Sequence, residues 1–254
     1  MHKLLLAATA ALLLPFTTAS AQAGDDDAEI TILTSDSVVV YGDVYDPDEA
    51  QPLILLFHQA GANARAEYGP IIPRLLDEGF SVIAIDQREG GDRLGGVNRT
   101  IEANGLQEGS YCDAAPDLEA TLDYAIERYG QRDIILWGSS YSAALVIRLA
   151  AERGEDVAGV LAFSPASGDP MAGCRPEEAA AQLTTPAMML RPSSEMEIES
   201  IRTQMDSFSS EGHRTFVAVG GVHGSSMLNS SRVTADTEPT WDAVLTFLHS
   251  LIES

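Results

Sequence analysis

A chain of 254 residues, 45% hydrophobic and 21% charged, has the composition of a globular protein. Its 38 acidic against 15 basic residues leave a formal charge of −23, which argues against nucleic acid or an anionic membrane surface as a partner. Lys3 is the only lysine, so beyond the N-terminus the sequence excludes a Schiff base, pyridoxal phosphate chemistry, a Walker-type phosphate lysine and a Ser-Lys dyad.

Residues 1–23 have the three parts of a secretory signal: the basic start at Lys3, an apolar run from Leu4 to Phe16, and the small-residue stretch Ala19-Ser20-Ala21-Gln22-Ala23. Cleavage after Ala21 or Ala23 fits the small-x-small rule, and the expected destination is the periplasm or the medium. The apolar run is shorter than the ~20 residues that span a bilayer, so no membrane anchor is expected after cleavage. In an oxidising compartment Cys112 and Cys174 could form one disulfide, with two buried thiols as the alternative. His58, His213, His223 and His249 fall in no HExxH or paired-cysteine pattern, so no metal site is expected.

Residues 24–254 contain no repeat and no low-complexity linker and read as one domain. The stretch Glu29 to Tyr45 alternates apolar and polar residues around Ser35-Asp36, which predicts an antiparallel hairpin at a sheet edge. Short apolar runs follow at Leu53 to Phe57, Val82 to Ile85, Ile134 to Trp137, Val160 to Phe163, Ala187 to Leu190 and Phe216 to Val219, as expected of parallel strands buried on both faces. Helical periodicity appears between and after them at Ile71 to Leu76, Leu118 to Tyr129, Ala143 to Ala151, Ile198 to Met205 and Trp241 to Ile252. The alternation predicts a doubly wound α/β fold, a mostly parallel sheet with an antiparallel N-terminal edge. Ligands of such sheets bind beyond the carboxyl ends of the strands.

Those positions carry chemistry-bearing residues. Gly138-Ser139-Ser140-Tyr141-Ser142 joins a strand to a helix, the setting of a nucleophile elbow. There Ser140 would be exposed on a tight turn, and the Tyr141 N–H at the helix start would face a developing oxyanion. The last strand leads to His223, placed to act as base. The acid that fixes its tautomer is expected between the two in chain order, at Glu195, with Glu197 and Asp169 as alternatives. After Leu53 to Phe57 comes His58-Gln59-Ala60-Gly61, whose Gln59 or Ala60 N–H could complete an oxyanion hole. Arg191 and His58 adjoin the site as candidate substrate contacts.

With these residues the chain resembles the α/β-hydrolase superfamily, on the nucleophile motif G-S-S-Y-S, the order Ser-Glu-His and a His-Gln-x-Gly loop similar to dienelactone-hydrolase-like serine esterases. The resemblance covers about Pro52 to Leu251. It implies a serine hydrolase in which Ser140 attacks an acyl carbon, His223 shuttles the proton and Glu195 orients His223, with no cofactor. Three positions depart from the pattern. Ser142 replaces the usual second glycine, Glu195 the commoner Asp, and Ser140 stands where dienelactone enzymes have cysteine, so their substrate does not carry over.

The polar segment Gln87 to Tyr111 is expected over the site as a binding loop. The excursion after Phe163 is too short for a large lid domain, and an open pocket for small or polymer-attached esters follows. Asn98-Arg99-Thr100 and Asn229-Ser230-Ser231 match glycosylation acceptors. The expected activity is hydrolysis of a carboxylic ester through an acyl-enzyme. The alternatives are a catalytically silent binding protein on the same scaffold and a small serine peptidase or thioesterase.

Overall fold

The structure, a computed structural model, describes residues 28–45, 51–107, 109–130 and 132–252; the expected signal, residues 1–23, lies outside the described residues. Eight strands form one sheet: β1 (Ala28–Leu33), β2 (Val39–Tyr45), β3 (Leu53–Phe57), β4 (Ser81–Asp86), β5 (Ile134–Ser139), β6 (Gly159–Phe163), β7 (Ala187–Pro192) and β8 (Arg214–Ala218). Their order is β1-β2-β4-β3-β5-β6-β7-β8. The predicted hairpin is present: β1 pairs antiparallel with β2, and β2 antiparallel with β4. Its turn closes on Thr34, whose Oγ1 accepts from the Val38 N–H at 2.9 Å.

From β4 to β8 every pairing is parallel. Chain direction across the sheet reverses around β3, which lies between β4 and β5. The loops after β3 and β5 therefore meet at a switch point, where α/β sheets place their ligands.

The helices are α1 (Ala64–Tyr68), α2 (Ile72–Asp77), α3 (Arg99–Asn104), α4 (Ala115–Tyr129), α5 (Tyr141–Glu152), α6 (Pro176–Ala180), α7 (Glu199–Ser210) and α8 (Glu238–Ile252). Because strand side chains alternate between faces, the uninterrupted run of β3 supplies two cores. Leu53, Leu55 and Phe57 pack with α4, α5 and α7, whereas Ile54 and Leu56 pack with α1, α2 and α8. Burial of each such side chain stabilises by about 1.5–3 kcal/mol.

Three expectations change. The last strand is displaced towards Arg214 and lies at the sheet edge with β7 on one side only, so Val219 is 80% exposed rather than buried. The segment Gln87 to Tyr111 is not one loop lying over the site: its two ends, at Glu89 to Arg93 and Gly109 to Tyr111, line a cleft beside Ala60. Its centre forms α3, capped by Asn98 Oδ1, and Asn104 binds both backbone groups of Val39 on the hairpin. Neither glycosylation match presents a free asparagine: Asn98 and Asn229 are buried, and their side-chain oxygens accept backbone N–H groups of Ile101 and Ser231.

Arginines tie the acidic surface together. Arg99 reaches Asp86, Asp43 and Glu29, and Arg88 reaches Asp117 and Asp36, fastening the hairpin to the parallel sheet. Cys112 and Cys174 are disulfide-bonded across a separation of 62 residues, with Cα atoms 5.6 Å apart. The excursion after β6 contains only a short turn at Asp169–Met171 and α6, and no lid domain.

Candidate active site

The turn between β5 and α5 carries Ser140 at φ 62° and ψ −117°, a region that non-glycine residues rarely enter. It is held there from several sides. The Ser140 N–H donates to Phe163 O at 2.8 Å, and its carbonyl accepts from the Ala166 N–H at 3.0 Å. The strand and helix cross so closely that a Cβ on Gly138 would lie 2.4 Å from Ser142 O, which explains the glycine two residues before the serine.

Ser142 has a different reason for its place. Its hydroxyl donates to His58 O at 2.6 Å and accepts from Gln87 Nε2 at 2.6 Å, clamping the helix start to the loops after β3 and β4. A glycine here would leave both partners unsatisfied.

His223, at the turn after β8, places Nε2 2.8 Å from Ser140 Oγ and Nδ1 2.5 Å from Glu195 Oε1. The three candidate residues thus form one hydrogen-bonded line. Glu195 begins a short turn after β7, and its second oxygen accepts from Arg191 Nη1 at 2.6 Å. Burial raises the pKa of this carboxyl, but the hydrogen bonds from His223 and Arg191 outweigh burial and hold it below the ordinary glutamate value. Ser164, also at positive φ, donates to Glu195 Oε1 and accepts from the Gly224 N–H, linking the acid to the histidine loop. The alternatives are set aside: Glu197 is exposed, and Asp169 faces solvent beside Arg175.

Of the two candidate oxyanion donors after β3, Gln59 is already engaged. Its N–H donates to the buried Glu67 carboxyl at 2.8 Å, which leaves the Ala60 N–H. Among the described residues, neither the Ala60 nor the Tyr141 N–H donates to a protein acceptor. Tyr141 opens α5, where no carbonyl one turn back is available to it.

Neither candidate substrate contact reaches solvent. Arg191 is 3% exposed, and its guanidinium is spent on Glu195, Pro165 O and Gln204 Oε1, so it holds the Glu195 carboxyl in place. His58 is fully buried; Nδ1 lies 2.9 Å from Gln59 O and Nε2 accepts from the Gln87 N–H at 2.9 Å. That pattern requires the neutral ring with its proton on Nδ1, and burial accordingly lowers its pKa. His58 shapes the loop after β3.

A cleft of about 340 Å³ opens beside Ala60, lined also by Gly61, Glu89, Gly90, Arg93 and Tyr111. Tyr111 stacks on Tyr141, with ring centroids 5.0 Å apart, and its neighbour Cys112 carries the disulfide. Sequence reading missed Ser164, Glu67 and the role of Arg191. For each, at least one partner is distant in sequence (Glu195 for Ser164, Ser139 for Glu67, Pro165 for Arg191), and no motif marks them.

The family model described as serine aminopeptidase, S33, matches residues 48–237. No curated protein matches the chain by sequence. Solved structures similar to it include an esterase of Pyrococcus furiosus, with TM-score 0.68 and 16% identity over 89% of this chain and 91% of that one. Est1E of Butyrivibrio proteoclasticus, in a structure with ferulic acid bound, gives 0.68 and 14% over 89% and 100%. A dienelactone hydrolase from Anabaena variabilis gives 0.64 and 14% over 89% and 97%. At these identities the likeness is one of fold. The match across most of the chain, on an eight-stranded α/β-hydrolase sheet with a serine at its elbow, places the protein in the serine aminopeptidase S33 family of hydrolases.

Proposed function

We propose that the protein is an exported carboxylic-ester hydrolase acting through an acyl-enzyme on Ser140. The observation that carries this reading is the line Ser140 Oγ, His223 Nε2, His223 Nδ1, Glu195 Oε1, with separations of 2.8 and 2.5 Å at its two hydrogen bonds. His223 Nε2 takes the hydroxyl proton as Ser140 Oγ bonds to the acyl carbon. The Tyr141 and Ala60 N–H groups hold the oxyanion, and collapse breaks the bond to the alcohol, which leaves with the proton from His223. Water repeats the sequence on the acyl-enzyme, releasing the acid and restoring Ser140. Glu195 remains a carboxylate throughout and stabilises the imidazolium.

The open, partly polar cleft beside Ala60 favours small acyl groups or esters attached to a larger body. A second reading, release of an N-terminal residue from a peptide, draws on one feature: the cleft is lined by a carboxyl group, Glu89, which accepts from the Gly109 N–H at 3.0 Å.

p-Nitrophenyl esters from C2 to C12 test the first reading, and aminoacyl p-nitroanilides the second. Ester turnover that peaks at short acyl length and disappears in Ser140→Ala supports it, together with labelling of Ser140 by a fluorophosphonate. Turnover surviving Ser140→Ala overturns the role of Ser140, and an unlabelled Ser140 with no ester turnover overturns the reading in favour of a silent binding protein. The disulfide supports export, because such bonds persist in oxidising compartments. N-terminal sequencing after expression of the full chain in a Gram-negative host should start at Gln22 or Gly24; a product that keeps Met1 overturns export.

A further inference from the structure

Glu67, on α1, is fully buried, and each hydrogen bond to its carboxyl group delivers a hydrogen to it. Its Oε2 accepts from the Gln59 N–H at 2.8 Å; its Oε1 accepts from Gln59 Nε2 at 3.2 Å and from Ser139 Oγ at 2.6 Å. The Ser139 hydroxyl in turn accepts from the Ser225 N–H at 3.0 Å. No arginine or histidine lies within ion-pair distance of Glu67 among the described residues.

The partners share a feature of sequence. Gln59 precedes Ala60, the remaining oxyanion donor of its loop; Ser139 precedes Ser140; Ser225 follows His223 by two residues. One carboxyl group therefore holds two loops of the site directly, each beside the residue that does the work there, and the His223 loop through the Ser139 hydroxyl. The packing is close enough to require the glycine between: a Cβ on Gly224 would lie 2.3 Å from Ser139 Oγ and 3.6 Å from Glu67 Oε1.

Resting on the reading of Ser140, His223 and Ala60 as the reacting constellation, we infer that Glu67 is the positioning residue of the oxyanion hole. It engages the Gln59 N–H and the Ser139 hydroxyl, and so orients the Ala60 and Tyr141 peptides while pinning the His223 loop to them. Burial raises its pKa, and the hydrogen bonds from Ser139 and Gln59 oppose that shift by favouring the carboxylate. A group useful only for packing has no need of acceptors alone: an apolar side chain would fill the space without desolvating a carboxyl.

Glu67→Gln keeps the shape but turns one oxygen into a donor that faces another donor, the Gln59 N–H at the Oε2 position or Gln59 Nε2 at the Oε1 position, where the Ser139 hydroxyl must also turn its proton away. The test compares wild type, Glu67→Gln and Glu67→Asp in p-nitrophenyl acetate kinetics, inhibition by an aryl trifluoromethyl ketone and thermal melting. The ketone adds Ser140 as a hemiketal oxyanion and so reads the hole directly. For Glu67→Gln, kcat should fall about 100-fold, the size of effect expected from loss of one oxyanion donor, with KM within about threefold of wild type. Ketone affinity should fall in parallel with kcat/KM, and Glu67→Asp should recover part of both.

Should Glu67→Gln not fold, Ser139→Ala replaces it, removing the bridging hydroxyl, and the same parallel loss is expected at smaller size. Wild-type ketone affinity in whichever variant folds overturns the inference, as does a loss of kcat that follows the folded fraction alone. Fluorophosphonate labelling of the wild type separates the two levels. An unlabelled Ser140 removes the underlying reading and this inference with it, whereas a labelled Ser140 with an unaffected Glu67→Gln removes this inference alone.

Discussion

Arg191 and Glu195, four residues apart across the end of β7, are joined at 2.6 Å, and the Glu195 oxygen that Arg191 leaves free is the one that meets His223. The acid is thus fixed from behind by a cation that solvent barely reaches. Removing that cation with Arg191→Met keeps the packed volume but leaves Glu195 held by His223 and Ser164 alone. Breaking one side of such a buried pair should destabilise the fold by about 3 kcal/mol, the low end for buried pairs because Glu195 keeps other partners. The pKa of Glu195 should rise, moving the acid limb of the kcat/KM profile to higher pH. Urea titration and a pH–rate series check both, and an unmoved acid limb would show that His223 alone fixes the carboxylate.

The lowered pKa of Glu195 also ties stability to pH. For a carboxyl whose native value lies below its unfolded value, the folded state binds fewer protons, so its contribution is full above the unfolded value. Here that is the ordinary glutamate value of 4.5, and the contribution fades as pH falls from there through the lowered native value. Glu195→Gln should remove this part of the pH dependence, making Tm less sensitive to acid than wild type below about pH 4.5. In the same variant kcat should fall by about 10⁴-fold at neutral pH, as expected when the acid no longer fixes the histidine tautomer. Scanning calorimetry at successive pH values, with kinetics at pH 7, reads the two effects separately.

How far the sequence reveals this site depends on how local each cause is. The strand at Leu53–Phe57 is legible to the residue because burial on both faces demands an unbroken apolar run. Ser140, His223 and Glu195 are legible because each follows a strand end. The role of Arg191 is hidden, since Pro165 and Gln204, which occupy its guanidinium, are 26 and 13 residues away in sequence. The choice between Gln59 and Ala60 is hidden too, because Glu67 decides it by folding back from α1. The short helices α1 and α3 have too few turns for periodicity; only their capping residues, Asn63 and Asn98, signal them.

Ser142 allows a test in which motif and structure disagree. By the motif, glycine belongs two residues after the nucleophile, so Ser142→Gly would restore the common pattern. By the hydrogen bonds, it would orphan Gln87 Nε2 and remove one bond to His58 O. The variant should be less stable by about 2–3 kcal/mol, adding the unsatisfied buried partners to the helix penalty of glycine. Ser140 should still label with fluorophosphonate, because the close crossing depends on Gly138. Equal or greater stability would mean that the serine is tolerated rather than required.

The disulfide joins the turn that carries Tyr111 to the excursion after β6, so it should influence the cleft as well as stability. Replacing both cysteines by serine removes a covalent tie spanning 62 residues, and for a loop of that size the expected loss is about 2–4 kcal/mol. Tyr111 would keep its stack on Tyr141 but lose the anchor beside it. KM for p-nitrophenyl esters should therefore rise while kcat changes little, because Ser140, His223 and Glu195 are held by β5, β7 and the turn after β8, none of which contains a cysteine. Steady-state kinetics of the double variant, and of wild type with and without reductant, test this split. A fall in kcat at constant KM would place the bridge's influence on the triad instead of the cleft.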